Sequence, residues 1–173
     1  MTSNKALIII DVQNDYFPGG VVPLWNANGA LQSILKVVKK AKQTNIPIIL
    51  VQHVSPDNSG ADLFIKGSYG VEIHPELLKA APDATIVTKT RADSFRATNL
   101  NEVVDKLGAT ELLFCGMQTF NCVGLSAISE FAKQYKVSIL ADCCTAEAQH
   151  VHLFALAGFG DIVPVVESTT VLN

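Results

Sequence analysis

The feature that most constrains this chain is a recurrence of short apolar runs bounded by breakers, most of them without polar alternation. They fall at residues 6–10, 46–51, 85–87, 111–115, 137–140 and 162–166. A strand with one wet face alternates apolar and polar residues, so unbroken runs of this length mark strands covered on both faces. Between several of them lie segments of helical period. Leu100, Val103, Val104 and Leu107 share one helix face, with Asn99 and Glu102 spaced as a capping box and Gly108 placed to end the helix. Leu31, Ile34, Leu35 and Val38 repeat that spacing, as do Val151, Phe154, Ala155 and Gly158. Strands alternating with helices imply an α/β fold, a parallel sheet with helices on both faces joined by right-handed crossovers. The segment 53–75 has no sustained period and is rich in Ser, Gly, Asp and Asn, so it is expected to be a long loop at the carboxyl edge of the sheet, where such folds bind ligands.

No repeat, low-complexity tract or linker divides the sequence, and a single domain spanning 1–173 is expected. A chain of 18.5 kDa can bury roughly 70% of its unfolded surface, enough to fold without disulfides or a structural metal. With 13 basic and 16 acidic residues the net charge is −3, which argues against a nucleic-acid partner. The one basic cluster, Lys36, Lys39, Lys40 and Lys42, reads as the wet face of an amphipathic helix. No apolar stretch approaches the roughly 18 residues of a membrane span. Asp11 stops the first run before it could serve as a signal-peptide core, so a cytoplasmic protein is expected. Cys115, Cys122, Cys143 and Cys144 include an adjacent pair and no C-x-x-C spacing, and they are read as thiols.

Three residues combine chemistry with position. Asp11 follows the apolar run Leu7 to Ile10, which places a carboxylate at the carboxyl end of a buried strand, although it would serve equally to cap a turn with Gln13 and Asn14. Cys122 follows the turn after the fourth run, where a helix through Val123, Ala127, Phe131 and Tyr135 is expected to begin. The positive end of that helix would lower the thiol pKa, whereas a small buried hydrophobe is the ordinary fate of a lone cysteine. Lys89 follows the third run; alone it would be a solvated charge. An acid, a cation and a thiol at the ends of separate strands converge in this topology.

These residues lie in four ordered motifs: Leu7-Ile8-Ile9-Ile10-Asp11-Val12-Gln13-Asn14-Asp15-Tyr16-Phe17; Gly67-Ser68-Tyr69-Gly70 leading to Ile73-His74-Pro75-Glu76-Leu77; Lys89 with Ser94-Phe95; and Gly116-Met117-Gln118-Thr119-Phe120-Asn121-Cys122-Val123. Together they resemble the isochorismatase-like cysteine hydrolases, a family that includes nicotinamidases and N-carbamoylsarcosine amidohydrolases, and the likeness spans essentially the whole chain. The resemblance implies a Rossmann-like three-layer α/β/α sandwich with a six-stranded parallel sheet, and a catalytic triad of Asp11, Lys89 and Cys122. It also implies a cis peptide at Met117-Gln118, with the backbone N–H groups of Gln118 and Cys122 forming an oxyanion hole. The family places a histidine ten residues beyond an aspartate after the fifth strand, an interval kept by Asp142 and His152.

Departures from the family narrow the expectation. Nicotinamidases hold a metal through an Asp-x-His group and a further histidine, whereas Gln52-His53-Val54 supplies one histidine and no matching aspartate, so no metal and no cofactor are expected and His53 is read as a loop anchor. Isochorismatases proper lack the nucleophilic cysteine, so Cys122 points to hydrolysis of a C–N bond in a small amide or carbamoyl substrate. Phe17, Trp25, Tyr69 and Phe120 are candidates to flank a small planar ligand, each equally a core residue. Val21, Val22, Leu63, Phe64 and Ile65 are candidates to pack on another subunit, since the resemblance implies a homo-oligomer. Two other readings stay open: a nicotinamidase proper, and a non-hydrolytic thiol or redox protein on the same scaffold. A dinucleotide-binding domain is disfavoured because no Gly-x-Gly-x-x-Gly follows the first run.

Overall fold

A computed structural model describes residues 4–57 and 59–172 of the chain; residues 1–3, 58 and 173 of the expected domain lie outside the described residues. Six strands, β1 Lys5–Ile10, β2 Ile48–His53, β3 Thr85–Lys89, β4 Glu111–Met117, β5 Lys136–Thr145 and β6 Val165–Val166, form one sheet in the order β3-β2-β1-β4-β5-β6, and every neighbouring pair is parallel. β1 is central and dry on both faces, which is why Ala6 through Ile10 carry no polar residue. β3 is an edge, and there alternation returns: Val87 and Lys89 point inward while Thr85, Ile86 and Thr88 face solvent.

The expected strands occur with shifted ends. β5 runs through Thr145, well past the expected run, because a register break between Phe114 and Gly116 lets it continue beside β4. The last run shrinks to two paired residues at the other edge. Helix α1 (Ala27–Gln43) buries Ala27, Ala30, Leu31, Ile34, Val37, Val38 and Ala41 along one stripe. Lys36, Lys39 and Lys42 face solvent and Lys40 is half-buried, and Lys42 Nζ donates to Ala80 O of α2 (Pro75–Ala80) at 3.1 Å.

Helix α3 (Leu100–Lys106) ends at Gly108 as expected, with Gly108 at φ +61°, but the capping box does not form. The Asn99 side chain makes no cap bond; the Thr98 hydroxyl accepts from Leu100 N instead (3.2 Å). The continuous helix expected through Val123 and Tyr135 is also broken. A π-helical turn at Thr119–Val123 passes into the short α4 (Gly124–Ala127), and Ser129 then turns the chain into a 3₁₀ turn at Glu130–Gln134. Ser129 is extended because its hydroxyl donates to Asp93 (2.7 Å) while accepting Phe131 N (3.3 Å). Helices α5 (Gln149–Gly160) and α6 (Ser168–Val171) complete the chain. Right-handed crossovers put α1 and α2 on one face of the sheet and α3, α4 and α5 on the other. Among the described residues no helix is long and apolar enough to cross a membrane.

Between β2 and α2 the chain is a long loop, and residues Gln13, Asn14 and Asp15 hold it. Gln13 Nε2 donates to Val71 O (2.7 Å), Asn14 Nδ2 to Tyr69 O (3.0 Å), and Asp15 accepts from Phe64 N (2.7 Å). Phe64 is thereby fully buried against Tyr16 and His53, so it is not available to another subunit, contrary to expectation. Val21 and Ile65 are exposed, whereas Val22 and Leu63 are half-buried.

Candidate active site

The strand order reverses between β1 and β4, and α/β sheets of this kind bind ligands where the carboxyl ends diverge at that point. Asp11 directly follows β1 in the left-handed region (φ +52°), a conformation that aspartate tolerates better than most residues. Its N–H still donates to Val51 O of β2 (2.9 Å), which fixes the turn. The Asp11 side chain is fully buried, with Oδ2 2.8 Å from Lys89 Nζ. Lys89 is the last residue of β3 rather than one beyond it, and the inward phase of that edge strand delivers its ammonium under the sheet's rim.

The ammonium has three N–H groups and three partners: Asp11 Oδ2, His53 Nδ1 at 3.0 Å and Arg91 O at 3.0 Å. Burial would discharge Lys89, but the Asp11 and Cys122 charges outweigh it and carry its pKa above the ordinary lysine value. Among the described residues no N–H bonds Asp11 Oδ1, so that oxygen stays open to a proton.

Cys122 is carried by the π turn, and its carbonyl accepts the Ser126 hydroxyl (2.6 Å), which also accepts Ser94 N (2.9 Å). The loop after β3 and the turn bearing the thiol are thus clamped together. Cys122 Sγ, an Asp11 oxygen and a His53 nitrogen lie within 4.8 Å of one another. Burial and the neighbouring Asp11 charge push the Cys122 thiol well up, and Lys89 only partly offsets them. The direction is therefore opposite to the lowered pKa expected from a helix start, with burial as its largest cause.

The peptide Met117-Gln118 is cis, and Gln118 Oε1 accepts from Glu147 N (3.1 Å). Thr119 Oγ1 donates to Thr145 O (3.0 Å), so it accepts from His152 Nδ1 (2.8 Å), which fixes the proton on that nitrogen. His152 is buried against this turn, whereas Asp142 lies elsewhere, accepting Ser168 N and Oγ at 2.8 and 2.6 Å. Of the aromatic candidates, Trp25 lies 5.8 Å from the His152 ring and Phe120 adjoins Thr119, both partly exposed beside the thiol's turn. Phe17 is buried on His74, and Tyr69 projects outward from the loop.

Sequence reasoning missed two members. His53 is no simple loop anchor: its backbone N–H and C=O both bond the Gln13 side chain (2.8 Å each) while its ring meets Lys89. The sequence offers only its position two residues past the second apolar run; its register with Lys89 is visible in the sheet alone. Tyr16 is the other, a buried phenol whose pKa is raised by burial and by the Asp11 and Cys122 charges. Asp11, His53 and Cys122 resemble a ligand set for a metal ion, but the donor set does not fit one while Lys89 is in place. The Lys89 ammonium already bonds two of the three, Asp11 and His53, and a metal cation would compete with it for both.

The sequence model of the Isochorismatase domain matches residues 5–170. An isochorismatase family protein of Bacillus subtilis strain 168, YddQ, is 32% identical over 174 residues, covering 95% of this chain and 96% of that protein. The ureidoacrylate amidohydrolase RutB of Agrobacterium fabrum strain C58 is 27% identical over 172 residues, covering 81% of this chain and 75% of RutB. Among solved structures, an isochorismatase family protein from Desulfovibrio vulgaris subsp. vulgaris Hildenborough superimposes with a TM-score of 0.88 at 26% identity, covering 98% of this chain and 96% of that one.

Proposed function

From the premise that this chain belongs to the isochorismatase family of hydrolases, we propose that it is a cysteine hydrolase that cleaves a C–N bond of a small amide or carbamoyl substrate. The observation that carries the reading is the buried cluster at the β1/β4 switch point: a thiol, a carboxylate with one oxygen free of N–H donors, and an ammonium that holds the other. The amidohydrolase among the relatives supports the bond type.

Asp11 Oδ1 accepts the Cys122 proton as the sulfur attacks the substrate carbonyl. Lys89 stabilises the charge passing between carboxylate and sulfur. The backbone N–H groups of Gln118 and Cys122 receive the oxyanion. Asp11 then gives its proton to the departing nitrogen, leaving a thioester on Cys122. Water, deprotonated by Asp11, adds to that thioester and expels the thiol. Such acid–base exchange contributes about 10²- to 10⁴-fold to rate.

The test is ammonia or amine release from a panel of small amides and carbamoyl compounds, nicotinamide included, by wild type and Cys122→Ala. Release reduced by about 10³-fold or more in a variant of unchanged fold is the expected result. Residual turnover near the wild-type rate would overturn covalent catalysis by this thiol. Running the panel with chelator decides against a nicotinamidase-like metal requirement if activity persists.

A further inference from the structure

Ser94 and Ser126 are both fully buried, one five residues past Lys89 and the other four past Cys122. Their hydroxyl oxygens stand 2.8 Å apart, and Ser126 Oγ also lies 2.6 Å from Cys122 O and 2.9 Å from Ser94 N. Each hydroxyl has one proton to give. The Cys122 carbonyl can only accept, so the Ser126 proton goes there, and the Ser94 hydroxyl donates to Ser126 in turn. Ser126 Oγ thus accepts the Ser94 N–H and O–H and donates once, which uses its whole hydrogen-bonding capacity.

The bond from Ser126 closes a frame around the thiol-bearing residue. The peptide unit between Cys122 and Val123 is held at both ends, its carbonyl by Ser126 and its N–H, that of Val123, by Gln118 O at 3.2 Å. Any rotation of that unit breaks one of the two bonds, and its plane sets the direction in which Cys122 carries its sulfur. The loop after β3 meets the ammonium as well: Arg91 O, three residues before Ser94, accepts from Lys89 Nζ at 3.0 Å. One part of the loop therefore fixes the ammonium, and another, through Ser94 and Ser126, fixes the thiol.

We infer that Ser126 is a positioning residue for Cys122, its hydroxyl holding the Cys122 carbonyl so that the thiol stays at the Asp11–Lys89 pair, with Ser94 completing the bonds of that hydroxyl. The inference rests on the reading of Cys122 as the nucleophile. Asp11 takes the thiol proton only across a hydrogen-bond distance, and a misplacement of about 1 Å in such a step can cost about 10²-fold in rate.

A buried hydroxyl can also serve packing alone, and the two serines separate these roles. Both are fully buried and lose the same oxygen on substitution by alanine, but only Ser126 bonds Cys122. The loop has a second tie, Ser129 Oγ to Asp93 Oδ2 at 2.7 Å, which holds it to the chain beyond α4 when the Ser126 hydroxyl is removed.

The test compares wild type, Ser126→Ala and Ser94→Ala in three measurements: kcat and KM on the best substrate of the amide panel, the rate at which iodoacetamide alkylates Cys122 as located by peptide mass spectrometry, and urea unfolding to report the fold. In Ser126→Ala kcat should fall about 10- to 100-fold with KM within about threefold of wild type, and alkylation of Cys122 should slow by a similar factor. Ser94→Ala should stay within about threefold of wild type in all of these rates, because the bond to the Cys122 carbonyl survives. A folded Ser126→Ala whose kcat matches wild type overturns the inference, as does an equal loss of kcat in the two alanine variants, which would assign both hydroxyls to packing. Should Ser126→Ala fail to fold, Ser126→Cys, close in size and only a weak donor, takes its place with the same outcomes. Failure of the underlying reading looks different: Cys122→Ala then keeps wild-type activity whatever the serine variants do. If wild type cleaves nothing in the panel, the alkylation rates decide, and equal rates in Ser126→Ala and wild type overturn the inference.

Discussion

His53 and Lys89, the last residues of two paired strands, meet through Nδ1 and Nζ at 3.0 Å inside the site. An ammonium only donates, so Nδ1 must be bare and the imidazole neutral with its proton on Nε2. Two groups that could both be cations thus share a dry space, and only one is charged. Burial and the Lys89 charge hold the His53 pKa below its ordinary value of 6.5, while Asp11 raises it in part.

The pH dependence follows from that pair. Protonation of His53 would set a second cation against Lys89, and because its pKa is held below the ordinary 6.5, kcat/KM should hold through pH 6.5 and fall only at more acid pH. His53→Phe removes the acceptor and should lower kcat/KM about 10- to 100-fold, the worth of one hydrogen bond to a charged group. It should also abolish the acid limb that His53 contributes. A variant whose pH profile superimposes on wild type would show that His53 does not position Lys89. Stability carries the same sign: the unfolded imidazole takes up a proton near 6.5 and the folded one resists it, so this share of stability is present above 6.5 and lost as pH falls below.

The Asp11–Lys89 pair makes a second prediction, on stability. Both side chains are fully buried, so removing either partner strands the other without compensation. Lys89→Met should cost about 3–5 kcal/mol, and Asp11→Asn, which keeps a residue tolerant of the left-handed backbone, should cost a similar amount. The double variant should be more stable than the sum of the single losses implies, by well over 1 kcal/mol, in urea titrations. Strict additivity would mean that the two side chains do not interact energetically.

How much of this was legible in the sequence depends on whether a residue's role is local or a matter of register. The unbroken run ending at Ile10 marked a central strand because burial on both faces leaves no polar phase, and Asp11 at its end was visible for the same reason. His53 was not, because its importance comes from lying opposite Lys89 across β2 and β3, a pairing that no local pattern encodes. The helix expected to follow Cys122 misled in another way. Val123, Ala127, Phe131 and Tyr135 keep helical spacing, but Ser129 finds Asp93, far away in sequence, and breaks the helix there. The capping box at Asn99 does not form; the first turn is held instead by the preceding Thr98 hydroxyl, which accepts from Leu100 N.

The cysteines make a third prediction, at alkaline pH. Burial pushes all four thiols above the ordinary value of 9.0, Cys144 to about 12, even though Gly116 lowers Cys144 in part. The unfolded chain loses these protons as pH rises through 9 while the folded chain keeps them, so stability must fall with rising pH above about 9. Unfolding temperatures measured from pH 8 to 10.5 should decline, and Cys144→Ala should flatten that decline. A pH-independent unfolding temperature over this range would contradict burial of the thiols.

The last prediction concerns the joint between β1 and β4. Gly116 has φ +118°, and a Cβ there would run into the Ile10 carbonyl and amide of the neighbouring strand, directly before the Met117-Gln118 peptide. Gly116→Ala therefore combines a backbone penalty with a collision between two central strands that cannot move apart without losing their ladder. Gly19 separates the two effects: it also has positive φ, +93°, but a Cβ there meets nothing within 4 Å. Gly19→Ala should cost about 1–2 kcal/mol, the left-handed penalty alone, and Gly116→Ala about 3 kcal/mol or more. Urea unfolding of the two variants measures the difference. Equal losses would mean that the strands give way at Gly116 and that the site does not depend on their close approach; a larger loss at Gly116 ties the position of Asp11, one residue beyond Ile10, to the glycine that lets β4 lie against it.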